Sequence, residues 1–103
     1  MKARYLPYHH GRSIVILHGL DGSPEGHWQC WLAGELKRRG HRVVFPELPQ
    51  KHRPNLIDWI EELHLILSTV GPGSVLVAHS LGALLWLYYA SVPHSVKLSK
   101  VLL

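Results

Sequence analysis

Apolar residues along the chain form two alternating patterns, one typical of strands and one typical of helices. Short apolar runs rich in β-branched residues, bounded by turn formers, predict buried strands at 13–17, 41–46, 75–78 and 96–103. Longer stretches with apolar residues at helical spacing predict helices at 27–39 and 56–69, and a third helix after residue 82 that ends at Val92-Pro93-His94. Strands that alternate with helices predict an α/β fold with a parallel sheet.

The length and the apolar content predict one small domain with a packed core. The chain has 103 residues, of which 47% are apolar. We interpret residues 1–12 as a lead-in and residues 13–103 as a single domain. The apolar stripes predict burial for the following residues: Val15, Trp28, Trp31, Leu36, Val43, Ile60, Leu63 and Val77. Because the chain ends inside the apolar run Val101–Leu103, we expect a C-terminally truncated sheet with exposed apolar surface near that run.

The segment from Ser74 to Tyr88 passes directly from a predicted strand into a predicted helix, with Ser80 at the corner. Ala78 stands two residues before Ser80 and Gly82 two residues after it. This is the G-x-S-x-G nucleophile-elbow pattern with alanine in place of the first glycine. The alternative interpretation is a serine N-cap at an ordinary strand-to-helix loop. The strand before and the helix after favour the nucleophile, because that is the context the motif requires.

Charge and titratable residues add little to this picture. A net charge of +4 would suit a nucleic-acid partner, but the basic cluster Lys37-Arg38-Arg39 falls at a predicted helix end, where cations favour the helix dipole. The nine histidines show no zinc-site spacing, so we expect no metal and no nucleic-acid partner. We interpret the single cysteine, Cys30, as core filler. No apolar run resembles a signal peptide or a membrane span, and we expect a cytoplasmic protein without a membrane partner.

A series of short motifs, taken together, resembles a known family. They are His18-Gly19, His27-Trp28, Phe45-Pro46-Glu47-Leu48-Pro49, Pro54-Asn55-Leu56-Ile57-Asp58-Trp59 and Ala78-His79-Ser80-Leu81-Gly82. The series resembles the small α/β-hydrolases of the retinoblastoma-binding serine hydrolase family, bacterial members above all. The resemblance implies a three-layer sandwich, present here as about four strands. It also implies that the strand at 13–17 lies between those at 41–46 and 75–78, with the last strand outside.

The resemblance also implies a function and a set of site residues. A serine hydrolase acting on small-molecule carboxylic esters, without a cofactor, would use Ser80 as the nucleophile. The backbone N–H groups of Leu20 and Leu81 would form its oxyanion hole. The motif is supported by the following residues: His18, Gly19, Ala78, His79 and Gly82. We expect His18 to have a structural role rather than to act as a base.

One feature departs from the family. The α/β-hydrolase order places an acid and then a histidine after the serine, but the sequence after Ser80 contains no Asp or Glu, and His94 is its one histidine. The chain therefore carries a nucleophile without a recognisable base or orienting acid, and we expect little activity from it alone. A second interpretation is a non-catalytic module that keeps the fold and binds a protein partner, as the family name suggests.

Overall fold

The computed structural model describes residues 13–92 and 96–103, which form a parallel sheet with helices on both faces. The strands are β1 (Ser13–Leu17), β2 (Arg42–Val44), β3 (Ser74–Ala78) and β4 (Leu98–Leu102). The helices are α1 (Trp28–Arg38), α2 (Leu56–Val70) and α3 (Leu81–Ala90). The predicted lead-in at 1–12 and the break at Pro93-His94 lie outside the described residues.

The strand order is β2-β1-β3-β4, and every neighbouring pair is parallel. This confirms both the α/β fold and the predicted order, with β1 between β2 and β3 and β4 outside β3. Because all strands run the same way, their carboxyl ends meet at one edge of the sheet, where ligands of open α/β folds collect. The loops that follow β1 and β3 carry His18-Gly19 and Ser80 to that edge.

The sheet separates two apolar cores. On one face, Val15, Leu17 and Leu76 pack with α2 and α3. On the other face, Ile14, Ile16 and Val77 pack against Ala33 of α1. Successive strand residues point to opposite faces, so near-continuous apolar strands are what a sheet covered on both sides requires. Helices on both faces of the sheet give the predicted three-layer sandwich.

Two of the helices begin at residues whose side chains cap the backbone. The Asn55 side chain accepts a hydrogen bond from the Asp58 N–H at 3.2 Å and thereby caps the start of α2. At α1, the His27 ring accepts from the Gln29 N–H at 3.2 Å. Gly71, with φ 81°, follows α2 in a conformation that glycine adopts without strain. These ends set where the connecting loops leave the sheet.

The predicted burial is wrong for two tryptophans of α1. Trp28 is 46% exposed and Trp31 68% exposed, whereas Gln29 and Ala33 are buried. The side-chain amide of Gln29 donates to the Leu17 carbonyl at 2.9 Å, and this bond turns the helix so that residues 29 and 33 face the sheet. Apolar spacing predicted that the face with Trp28 and Trp31 would be buried, because the spacing of apolar residues gives no information about a buried polar residue such as Gln29.

The remaining predicted core positions divide into two groups. Val15, Leu63 and Val77 are buried as predicted, while Leu36, Val43 and Ile60 are partly buried. At the start of α2 Leu56 is exposed, whereas Trp59 is buried with Leu63 and Leu67. Leu102 and Leu103 are exposed, which confirms the predicted apolar surface at the sheet edge.

The structure also differs from the sequence-based predictions in the length of β2 and in the environment of Cys30. Strand β2 is shorter than the run 41–46, because Phe45 and Pro46 already belong to the following loop. Cys30 is not core filler, since it is partly exposed and its thiol donates to the Ser23 carbonyl at 3.1 Å.

At the end of α1, hydrogen bonding from Arg38, followed by the charge of Arg39, lowers the pKa of Glu35. The basic cluster is therefore partly paired with an acid.

No helix within residues 13–92 and 96–103 has both the length and the hydropathy needed to cross a membrane.

Candidate active site

Ser80 stands between β3 and α3 in a conformation that non-glycine residues rarely adopt. Its φ is 56° and its ψ −123°, outside the common regions for L-residues. Such strain persists only where the surroundings hold it, and it concentrates at functional sites. The side chain makes no capping hydrogen bond to α3, and the residue is exposed. This geometry is that of a nucleophile elbow and not that of an ordinary serine N-cap.

Two glycines make the elbow sterically possible. A Cβ added to Gly19 would lie 2.9 Å from the Ser80 Cβ and 3.3 Å from its Oγ. A Cβ added to Gly82 would lie 2.5 Å from the His18 carbonyl oxygen and 3.0 Å from that of Leu17. Real Cβ atoms are not found at the shorter of these distances, so both positions require glycine. The end of β1 and the start of α3 therefore touch through their backbones, next to the buried Ala78 that ends β3.

His18 is buried and both of its ring nitrogens are engaged. Its Nε2 accepts from the Leu48 N–H at 2.8 Å, so the proton of the neutral ring lies on Nδ1, which donates to the Gly19 carbonyl at 2.7 Å. The ring also meets Trp59 edge-on, with centroids 5.5 Å apart. A ring held in this way has no nitrogen left to take a proton from Ser80, which agrees with a structural role.

The loop that carries Leu20 is fixed on both sides. The Asp21 N–H donates to the Lys51 carbonyl at 2.9 Å, and the Gly22 N–H closes a turn onto Gly19 at 3.2 Å. Among the described residues, the N–H groups of Leu20 and Leu81 donate no hydrogen bond. Leu81 is also the first residue of α3, where the helix dipole places positive potential. Two donors are thus left unused on the two chain segments that meet at Ser80.

His79, the residue before Ser80, contacts aromatic rings rather than a carboxylate. The His79 ring contacts the rings of His27 and Trp28, with centroids 5.4 Å and 5.7 Å away. These three side chains form an aromatic group beside the elbow, on the α1 side of the sheet. His94 lies outside the described residues. Groups of three or more potential metal ligands do not occur in the part of the chain that the structure describes.

One pair of residues in loops at the carboxyl edge of the sheet was missed by sequence reasoning. The His52 Nδ1 lies 2.7 Å from the Asp21 Oδ1, and both side chains are largely exposed. A carboxylate against Nδ1 of histidine is the relation that orients a general base in serine hydrolases. The two residues are 31 positions apart, so no local motif could have indicated the contact. The pair belongs to the two loops at the carboxyl edge of the sheet.

The comparisons with known proteins agree with this geometry. A family model described as serine hydrolase matches residues 14–103. The Bacillus subtilis (strain 168) protein named "Putative hydrolase YdeN" is 35% identical over 71 residues, which are 69% of this chain and 37% of that protein. The crystal structure of the ydeN gene product from B. subtilis has a TM-score of 0.71 and 31% identity, covering 84% of this chain and 45% of that one.

The chain thus spans less than half the length of the relatives that it matches. The narrower resemblance to the retinoblastoma-binding members stays a prediction. The family model, however, covers almost all of the described residues, including the elbow and the His18-Gly19 loop. This match shows that the chain belongs to the serine hydrolase family.

Proposed function

We propose that this chain supplies the nucleophile and the oxyanion hole of a hydrolase acting on small-molecule carboxylic esters. The observation that carries the proposal is the strained, exposed Ser80, which lies against Gly19 and directly precedes Leu81, while the N–H groups of Leu20 and Leu81 donate no hydrogen bond within the described residues. Strain of this kind costs about 1–3 kcal/mol, and surroundings that maintain it are typical of functional sites. A location in the cytoplasm and independence from cofactors belong to the same proposal.

In the proposed reaction, the Ser80 Oγ attacks the ester carbonyl carbon while its proton passes to a general base. The carbonyl oxygen becomes an oxyanion and accepts hydrogen bonds from the N–H groups of Leu20 and Leu81. Collapse of this tetrahedral species expels the alcohol, which takes up the proton, and leaves an acyl-Ser80 ester. Water, activated by the same base, then releases the carboxylic acid and restores Ser80.

The sequence after Ser80 does not contain the acid and the base in the order that α/β-hydrolases have them. Both nitrogens of His18 are engaged, and His79 contacts aromatic rings instead of an acid. We propose that the base and the acid come from polypeptide that these 103 residues do not include. The greater length of the two relatives supports this division.

Selective phosphonylation tests whether Ser80 is the nucleophile. A fluorophosphonate probe at high concentration is expected to modify Ser80 slowly but at one site, because the elbow exposes its hydroxyl beside two donors. Peptide mass spectrometry locates the adduct, and Ser80→Ala should abolish it. Ser91, which is exposed at the other end of α3, serves as the control, and Ser91→Ala should leave labelling unchanged. Equal modification of Ser80 and Ser91 would show that Ser80 has no special reactivity.

The oxyanion hole has its own test, because a backbone donor can be deleted without touching a side chain. Replacing the Leu81 amide by an ester, through incorporation of the α-hydroxy analogue of leucine, removes the N–H without changing a side chain, although it also weakens the Ser80 carbonyl as the acceptor of the Ala83 and Leu84 N–H groups. The rate of Ser80 phosphonylation is expected to fall about 10²–10³-fold, the usual effect of losing one such donor. The fold should be largely retained, since the Leu81 N–H donates no hydrogen bond within the described residues and the ester carbonyl of Ser80 still accepts hydrogen bonds. An unchanged rate in a folded protein would contradict the assignment of Leu81.

The alternative, a binding module without catalysis, is favoured by one observation. His18, His64 and His79 contact backbone, tyrosine or aromatic groups rather than a carboxylate, and the contact of His52 with Asp21 is exposed to solvent. In that case Ser80 would be as unreactive as any exposed serine, and the fold would present its surface to a protein. The phosphonylation experiment therefore distinguishes the two functions.

A further inference from the structure

A second feature beside the elbow is an apolar groove between α2 and α3. Its volume is about 210 Å³. Its walls are formed by apolar side chains of α3, by residues at the start of α2, and by the proline before that helix. They include Pro54, Leu56, Trp59, Leu81, Leu84 and Tyr88. The lining offers almost no hydrogen-bonding group, so a ligand that fits it is itself apolar.

The groove begins next to the nucleophile. Leu81, which lines it, directly follows Ser80, and α3 runs from there away from the carboxyl edge of the sheet. Leu81, Leu84 and Tyr88 lie on one side of the helix over two turns. Seven residues at 1.5 Å each give a length of about 10 Å. Since three bonds of an extended chain span about 3.5 Å, an alkyl chain of about eight carbons fits along it.

The base of the groove is rigid, while its rim is exposed. The Trp59 indole N–H donates to the Pro49 carbonyl at 2.7 Å, and its ring is held against His18. Leu84 and Tyr88 on the rim are each 57% exposed. The groove is preformed and apolar, and its lining includes Leu81, the residue after Ser80. These are the features expected of a binding site for an apolar group beside that serine.

We propose that this groove binds the acyl chain of the ester, so that the preferred substrates carry unbranched apolar acyl groups of about six to eight carbons. The inference rests on the proposed function, because it assigns a substrate class to the same Ser80. The larger apolar cavity, of about 470 Å³, is a less suitable place for the acyl chain. Ala78 and His79 also line it, but it spreads over Ile14, Val75 and Leu36 as far as Leu102 and Leu103 at the sheet edge, instead of following one helix from Ser80.

Two exposed leucines of α3 provide a matched pair of variants. Leu84 lines the groove, whereas Leu87 is 52% exposed on the same helix and does not line it. Because both side chains are largely exposed, a tryptophan at either position should be tolerated by the fold. Leu84→Trp fills the groove, and Leu87→Trp adds the same ring elsewhere.

The first experiment follows acylation of Ser80 by p-nitrophenyl acetate and p-nitrophenyl octanoate, using intact-protein mass spectrometry. The octanoyl adduct is expected to form at least about tenfold faster than the acetyl adduct, since each buried methylene favours binding by about 0.8 kcal/mol. Leu84→Trp should bring the ratio of the two rates close to one, while Leu87→Trp should keep the original ratio. A ratio that both variants leave unchanged overturns the groove assignment.

A second experiment separates the groove from the nucleophile. Sodium octanoate, but not acetate, should shift the amide NMR signals of Leu84 and Leu85 and the indole signal of Trp59, in the parent chain and equally in Ser80→Ala. No shift in a protein whose Ser80 is phosphonylated selectively overturns the groove and leaves the nucleophile in place. Octanoate binding in a protein whose Ser80 shows no selective reactivity supports the groove as an alkyl-chain site and overturns the esterase function.

Discussion

Gly82→Ala is expected to lower the free energy of unfolding by about 3 kcal/mol or more, a large fraction of the stability of a small domain. The added methyl group would lie 2.5 Å from the His18 carbonyl oxygen, 3.0 Å from the Leu17 oxygen and 3.1 Å from the Leu17 Cβ. Two of these three atoms belong to the backbone at the end of β1. They cannot move aside as the end of a flexible side chain can, so α3 would have to shift away from the sheet.

Gly34→Ala is the matched control. Gly34 lies inside α1, and an added Cβ there would meet no atom within 4 Å. Alanine is the better helix former, so this variant should gain about 0.5–1 kcal/mol. Urea denaturation of both variants and the parent measures the difference. A Gly82→Ala protein within about 0.5 kcal/mol of the parent would mean that α3 and β1 do not meet as closely as described.

The fold was largely predictable from the chain because its strands are unambiguous. The runs at 13–17 and 75–78 are apolar on both faces, as strands covered on both sides must be, and turn-forming residues bound them. Apolar spacing could predict the strands and helices, but not which strands are neighbours. The order of the sheet followed from the family resemblance together with right-handed crossovers.

The elbow was predictable in position but not in its supporting contacts. The pattern Ala78-x-Ser80-x-Gly82 located the corner, whereas the φ of Ser80 and the approach of Gly19 depend on atoms from another strand. Likewise, a glutamine within an apolar helix gave no sign that its amide would bind the Leu17 carbonyl and expose Trp31. Contacts between residues far apart in sequence leave no periodic signal, and the Asp21–His52 pair is the clearest case.

Hydrolysis of p-nitrophenyl acetate by the 103-residue chain alone is expected to be residual, about 10³–10⁴-fold above the uncatalysed rate at most. An oxyanion hole and substrate binding alone give rates of this order in serine hydrolases. A serine hydroxyl at neutral pH is a weak nucleophile until a base takes its proton. In a measured case, deleting the base of a serine hydrolase lowers kcat about 10⁶-fold. We expect the kcat of this chain to be lower than that of a complete triad by about the same factor.

The release of p-nitrophenolate by the parent chain and by Ser80→Ala measures this prediction. Their difference should be small in buffer, and it should grow on addition of free imidazole, which can act as an external base at an exposed Ser80. Imidazole also cleaves p-nitrophenyl esters by itself, so the rate of a protein-free blank with the same imidazole is subtracted. The remaining acceleration should be absent in Ser80→Ala, because no acyl-serine can form there. Gly34→Ala, which keeps the site and stabilises the fold, should behave like the parent.

Efficient turnover that depends on Ser80 without added imidazole would contradict this account, and the structure indicates where the base would then be. His52 has a carboxylate against its Nδ1, and its Nε2 would be the atom that accepts the proton. In that event His52→Ala and Asp21→Asn should both abolish turnover. His79→Ala and His94→Ala complete the set, since each removes another candidate base. Loss of turnover in His79→Ala alone would instead mean that its ring leaves His27 and Trp28 to reach Ser80.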